Sequence, residues 1–359
     1  MAAIHKPVDG FDRPTDGFDP LALYQLVPFR QTRPMGVITR DTKAELSFTT
    51  PDICRMSNFR VIQQGAPSVF PLARESVRRI TLPEKSTVEF DLEGTGAGTT
   101  ILEGRDRDAN GNPSVLPQFS LRIAVRQPKT RRFAVFYAFD AIHPAPGRKL
   151  NLPVMFKAMN DIYRQGLITL VSVDNGRDIT LPGSFGQLFN LDAAEPTRRL
   201  INKLEQDFPR TFEGVDSVMF VLPVPIGMRD RRSGTVVDSG NVGLARPVRR
   251  ESTGRKFDTI FISSIIHDND VDAPTTIAHE IGHRLGLVHE PNLQGEIRLA
   301  EVFPGFDPRD TRPFRFAPPS MHNLMFPIDI MGSTRLNAEQ LERLHAVTPV
   351  FDDDRVVTI

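Results

Sequence analysis

Cysteine is almost missing from this chain. A single residue, Cys54, among 359 excludes an internal disulfide framework and any zinc site built from several thiolates. Its surroundings, "PDICRMS", carry no pattern of a metal-blocking thiolate, so a buried, inert cysteine is expected. Long apolar runs are also missing. The best, "VMFVLPVP" at 218–225, is broken by proline and falls short of the ~18 residues that span a bilayer. The opening "MAAIHKPVDGFDRPTDGFDP" lacks the apolar core of a signal peptide. Synthesis in the cytoplasm follows, with export by a route that reads no N-terminal signal left open. Nor is there an excess of charge: 44 basic residues face 44 acidic ones with no basic stripe, which argues against nucleic acid or an anionic membrane as partner. What remains is 40% hydrophobic and 25% charged residues, the composition of a globular protein long enough for two domains.

Residues 1–25, proline-rich and with "DGFD" repeated at 9–12 and 16–19, hold too little apolar surface to fold alone and are expected to form a disordered arm. From 26 to 128 the pattern alternates. "STVEFDL" places Val88, Phe90 and Leu92 on one face, and "FSLRIAVR" does the same with Phe119, Leu121, Ile123 and Val125. Further strand candidates ("GVITR", "AELSFT", "FRVIQ", "RRITL", "TTILEGR") recur between turn residues, predicting a β-sandwich. The stretch from "GAGTTILEGR" to "FSLRIAVR" resembles the end of a bacterial immunoglobulin-like repeat. Within it Asp106, Asp108, Asn110 and Gly111 match the first half of a calcium loop, but Pro117 stands where the closing acid belongs. Calcium is therefore unsupported, and a plain turn is expected.

From 129 to 359 strands and helices alternate, predicting an α/β or α+β domain. "RRFAVFYAF", "LITLVSV", "VDSVMFVL" and "FDTIFISSII" read as strands, with the more polar "TVVDSGNVGLARP" as one more. "NLPVMFKAMNDIYRQG" predicts a helix with Asn151 as cap, a stripe of Met155, Ala158, Met159 and Ile162, and Gly166 as its stop. "TRRLINKLEQDF" predicts another, through Leu200, Ile201, Leu204 and Phe208.

The stretch that carries chemistry is "TTIAHEIGHRLGLVHEP", 275–291. On a helix, residues four apart share a face, so His279 and His283 can aim one nitrogen each at a common ion. Glu280 is turned beside that ion but outside its coordination shell. A hydrolytic zinc wants three protein ligands and an open fourth position for water. His289 can be the third only if the helix ends and the chain turns back, which Gly286 permits through a left-handed conformation. Zinc would lower the pKa of bound water to about 7 and polarise a carbonyl. Glu280 could then take the water's proton and pass it to the leaving amine.

"HEIGHRLGLVH" resembles the zinc signature of the metzincin metallopeptidases, and eleven residues make it far more specific than HExxH alone. The resemblance, carried by two short motifs, extends over about 130 to 350. It implies an α+β catalytic domain with a mixed twisted sheet, an active-site helix, a methionine turn and a C-terminal helix. "MHNLMFP" is similar to that turn and places Met325 there, with Met321 and Met331 as weaker candidates. "LNAEQLERLHAV" supplies the C-terminal helix, Asn337 and Gln340 forming a capping box. One catalytic zinc is implied, held by His279, His283 and His289, with Glu280 as general base. A protein or peptide substrate is expected to lie extended along an edge strand resembling "NVGLARP", through Val242, Gly243, Leu244 and Ala245. The loop from Pro291 to Ser320, rich in proline and phenylalanine, would shape an apolar pocket past the scissile bond. Pro327 stands where some members carry a tyrosine, so a matrixin-like or unassigned subfamily is expected despite Glu290. Nearby, Asp272 is expected to cap the motif helix, His267 with Asp268, Asp270 and Asp272 to form a solvated turn, and His322 to be exposed.

The function expected is therefore a zinc endopeptidase behind an immunoglobulin-like module, an effector exported without a signal peptide, whose first domain contacts secretion machinery or a target surface. Two alternatives stand beside it: a catalytically silent metal-binding or adhesive protein, and a zinc amidase acting on cell-wall peptides. Glu280 speaks against the silent protein, since a scaffold that only binds metal has no use for that base.

Overall fold

Alternation in the first third of the chain becomes strands in the computed structural model, and the longer apolar runs become a buried sheet. Described are residues 3–5, 18–19, 24–30, 32–38, 44–49, 53–63, 66–69, 77–82, 86–106, 110, 112, 119–143, 149–190, 193–229, 233, 235–238, 243–249, 256–263, 273–288, 323–325, 334–345 and 357–358. The chain divides into two compact units. Met1–Lys129, Tyr163–Ile168 and Leu336–His345 form the first; Thr130–Ile162, Thr169–Arg335 and Ala346–Ile359 form the second.

Among its described residues the first unit has eleven strands: β1 Ala3–His5, β2 Phe18–Asp19, β3 Tyr24–Pro28, β4 Thr32–Ile38, β5 Ala44–Thr49, β6 Cys54–Gln63, β7 Ala66–Val69, β8 Val77–Leu82, β9 Ser86–Gly94, β10 Gly98–Asp106 and β11 Phe119–Arg126. One sheet runs β1-β4-β9-β6-β7 and the other β2-β3-β11-β10-β5-β8, mixed because β3 lies parallel to β11. Alternation predicted the buried set well: Leu92, Leu121, Ile123 and Val125 have no exposed surface. The sheets meet at Gly94, where a Cβ would come 2.6 Å from Val125 Cγ1. Cys54 is buried, and burial pushes its thiol up to about 12, as expected of an inert cysteine.

Two expectations need correcting here. The N-terminal arm contributes strands: Ala3–His5 pairs with Gly36–Ile38, and Phe18–Asp19 with Tyr24 and Gln25. Main-chain pairing on an existing edge needs no apolar surface of the arm's own, which composition could not reveal. The C-terminal helix groups with this first unit, whereas a single break after 128 would assign it to the second. Leu336 N donates to Gln165 Oε1 at 3.2 Å, Lys129 Nζ donates to the Leu344 carbonyl at 3.0 Å, and the His345 ring bonds the Gly166 carbonyl at 2.7 Å. Gly166 serves this packing, since any Cβ there would collide with Leu344 Cδ1; the left-handed residue after the preceding helix is Leu167, at φ 56°.

The second unit holds β12 Lys129–Phe139, α1 Leu152–Tyr163, β13 Ile168–Ser172, β14 Arg177–Thr180, β15 Phe189–Asn190, α2 Ala194–Asp207, β16 Ser217–Val221, β17 Ile226–Arg229, β18 Val236–Asp238, β19 Gly243–Arg249, β20 Lys256–Ile262, α3 Ala273–Arg284 and β21 Val357–Thr358; α4, Ala338–Arg343, lies in the first unit. The main sheet is ordered β13-β12-β16-β20-β19-β21, with β14 also on β12. β12, β16 and β20 run parallel, and β19 runs antiparallel to β20. Strands buried on both faces lose their alternation, and every residue of "SVMFV" in β16 is buried. On one face Phe136, Phe220 and Phe261 join Leu200, Ile201 and Leu204 of α2 in a common core. On the other, Phe133 meets Phe156 of α1 edge-on at 6.1 Å. "TVVDSGNVGLARP" is not one strand: β18 joins β15 and β17 in a small sheet, and β19 joins the main one.

The protein is thus β-rich with mixed sheets, and among the described residues most helices lie in the second unit, α4 and a short 3-10 turn belonging to the first. Among the described residues no helix is long and apolar enough to cross a membrane.

Candidate metal-binding site

Helix α3 carries the motif's first three functional residues. Ile277, Ala278 and Ile281 are buried and seat the helix on the sheet, where it packs against β19 and β20. His279 and His283 share one face, their ring centroids 4.8 Å apart and their planes inclined at 82°.

Neither imidazole is left to choose its tautomer. His279 Nδ1 donates to the Leu324 carbonyl at 2.8 Å, and His283 Nδ1 donates to the Leu287 carbonyl at 3.1 Å. With the proton held at Nδ1, Nε2 is the basic nitrogen on both rings, the form a metal ligand requires. Burial pushes His279 below its ordinary pKa, although the Leu324 carbonyl favours the charged form. Neutral imidazole is also what a metal ion needs.

The end of α3 follows from Gly286. Its φ is +87°, and the amides of Gly286 and Leu287 donate to the carbonyls of His283 and Gly282 at 3.1 and 2.9 Å. These two bonds form a Schellman motif, and Leu287 after it is buried. The same reversal presents the Leu287 carbonyl to His283, so one glycine both stops the helix and orients a ligand. His289 and Glu290 lie outside the described residues, as do His267, Asp268, Asp270, Asp272, Met321, His322, Met331 and the loop from Pro291 to Ser320. Two donors of the expected three therefore fit zinc in type and tautomer.

Met325 is wholly buried, in a turn with Leu324. Asn323 shapes that turn: its Oδ1 accepts from Met325 N at 2.9 Å, while Leu324 N donates to the Arg335 carbonyl at 2.7 Å. The sequence pointed to the methionine, whereas the group that touches the histidine is the carbonyl before it. Backbone groups carry no letter in a sequence, so neither carbonyl could be read there.

Glu280 is 9% exposed and lies against the first residue of β19, where a Cβ on Gly243 would come 2.7 Å from its Cγ. β19 is the antiparallel strand at which substrate was expected, with Val242 outside the described residues. Pro247, opposite Asp258, has no N–H to give to β20, and Arg246 turns its carbonyl to Thr259 Oγ1 at 2.6 Å. Backbone groups of an antiparallel strand alternate in direction, so Gly243 and Ala245, in phase with Pro247, present N–H and C=O away from β20. Among the described residues β21 pairs with Val248 and Arg249. The last turn of α3 is tied to β20 by Arg284, whose Nε and Nη2 donate to Asp258 Oδ1 at 2.9 and 2.6 Å.

No known family model matches this chain, and no curated protein matches it. Among solved structures it is similar to WR4, a Caenorhabditis elegans MSP family member, at 10% identity over 29% of this chain and 92% of that one, with a TM-score of 0.17. It is also similar to the CARDB domain of a Pyrococcus furiosus protein, at 13% identity over 35% and 90% of the two chains and a TM-score of 0.17. The major pilin subunit of Bacillus cereus matches at 9% identity over 39% and 44%, with a TM-score of 0.23.

Proposed function

We propose that this chain is a zinc-dependent endopeptidase of metzincin type, preceded by an immunoglobulin-like module. The observation that carries the reading is the pair of imidazoles on α3, each locked by a backbone carbonyl in its ligand tautomer, with a carboxylate between them on the helix. His279, His283 and His289 would hold the ion, and a metal there supplies Lewis acidity and a water acidic near neutral pH.

The chain's own residues do the rest. An extended substrate pairs its backbone with the outward groups of Gly243 and Ala245, which aligns one peptide bond with the helix. Glu280 accepts a proton from the attacking water as the carbon–oxygen bond forms. It returns that proton to the amide nitrogen as the carbon–nitrogen bond breaks, so charge and atoms balance without a covalent enzyme intermediate. A protein that merely bound metal would have no use for the carboxylate beside it.

Zinc content and hydrolysis of casein or a fluorogenic peptide, measured for the native chain and for Glu280→Gln, test the proposal. Equal zinc with hydrolysis only by the native chain supports it; equal hydrolysis, or none by either at full zinc occupancy, overturns it.

A further inference from the structure

Glycine inside a strand carries a cost. It forgoes side-chain packing and gives up more conformational freedom than alanine, about 0.5–1 kcal/mol in all. Gly243 opens β19, paired with Ile262, and its φ lies outside the left-handed region. Backbone geometry therefore does not call for glycine. The neighbour does. A Cβ at this position would sit 2.7 Å from Glu280 Cγ, 3.4 Å from Cδ and 3.5 Å from Oε1. The nearest of these is close to the helix end of the side chain and cannot swing clear without a change of rotamer. β19 is itself held by a ladder to β20 that continues to Arg249 and Lys256, so the strand cannot yield either.

We propose that Gly243 is a positioning residue that seats the Glu280 side chain, which makes the substrate-binding edge and the general base two sides of one residue. This rests on the peptidase reading. Its bare Cα hydrogen makes room for the carboxylate's stem, and its peptide groups belong to the strand at which substrate pairing is proposed. Adding one methyl group moves the base and leaves the metal ligands where they are.

The test is a pair of mutant cycles on the full chain with zinc. Gly243→Ala should keep zinc stoichiometry and KM near native while kcat falls on the order of 10²-fold, the loss typical of ångström-scale misplacement. In a Glu280→Gln background the same substitution should cost no more than about twofold, because residues acting through one another are not additive. Thermal stability gives the second readout: Gly243→Ala lowers Tm, and Glu280→Ala, which removes the crowded atoms, restores the double variant to the Tm of Glu280→Ala alone. A native kcat in Gly243→Ala, or an equal fold-loss in the Glu280→Gln background, overturns the inference. Should Gly243→Ala not fold, a folded double variant supports the inference and an unfolded one overturns it. Should the native chain hydrolyse nothing, the peptidase reading fails, and the Tm cycle still decides whether Gly243 seats Glu280.

Discussion

Among the described residues, different groups meet β13 and β19 at the two sides of the second unit's main sheet. At β13 the Asn160 side chain imitates a neighbouring strand: its Nδ2 donates to the Leu170 carbonyl at 2.9 Å and its Oδ1 accepts from Leu170 N at 2.7 Å. An exposed edge invites unwanted pairing, and a side-chain amide from α1 blocks it at the cost of one residue. At β19 the outward groups of Gly243 and Ala245 precede the short pairing with β21, and α3 brings the carboxylate of Glu280 to the same end. Protection is placed where no chemistry is proposed, and the β19 edge, where substrate pairing is proposed, lies beside the candidate base.

That contrast can be broken or sharpened by experiment. The largest effect should come from Glu280→Gln, which leaves the β19 edge and the zinc in place yet lowers kcat about 10²–10⁴-fold, read from peptide hydrolysis at matched zinc content. Next, Asn160→Ala should unblock the quiet edge. Leu170 loses both partners, costing about 1–3 kcal/mol in urea denaturation, while kcat/KM per folded molecule stays native and light scattering reports more self-association. A change in kcat/KM would mean that the two edges are not independent. Ala245→Pro removes one outward N–H from β19 without touching the ladder to β20. Losing one hydrogen bond of about 0.5–1.5 kcal/mol should lower kcat/KM roughly 2- to 10-fold.

The smallest effect on hydrolysis, none at neutral pH, concerns neither edge. Burial holds His345 down to about 4, against the pull of its bond to the Gly166 carbonyl. Folding therefore favours the neutral ring, and the unfolded chain binds the extra proton as pH falls. Stability of the first unit should be fully present above the ordinary histidine range of about 6.5 and should decline as pH drops towards 4. Chemical denaturation across that window should show the slope, and His345→Gln should flatten it while hydrolysis at neutral pH is unchanged.

Much of this was legible in the residues. β9, β11 and β12, the stripe of α2 through Leu200, Ile201 and Leu204, the helix carrying His279 and His283, and the capping box of Asn337 and Gln340 all appear where period and cap predicted. Gly286 takes the left-handed turn the motif demanded. Less legible was anything carried by the main chain or by partners distant in sequence. The strands at Ala3–His5 and Phe18–Asp19, the grouping of α4 with the first unit, and the split of 235–247 between two sheets belong to that kind.

Taken by itself, the order of amino acids determined which side chains could serve as ligands and base, because helical period and the conformational freedom of glycine act within a few residues. Only the tertiary structure decided what orients them. The carbonyl that sets the tautomer of His279 lies 45 positions away, and the strand that crowds Glu280 arrives from 37 positions earlier in the chain (280 − 243). Hydrogen bonds and van der Waals contact are short-ranged in space, so only the folded chain brings such distant groups within their reach.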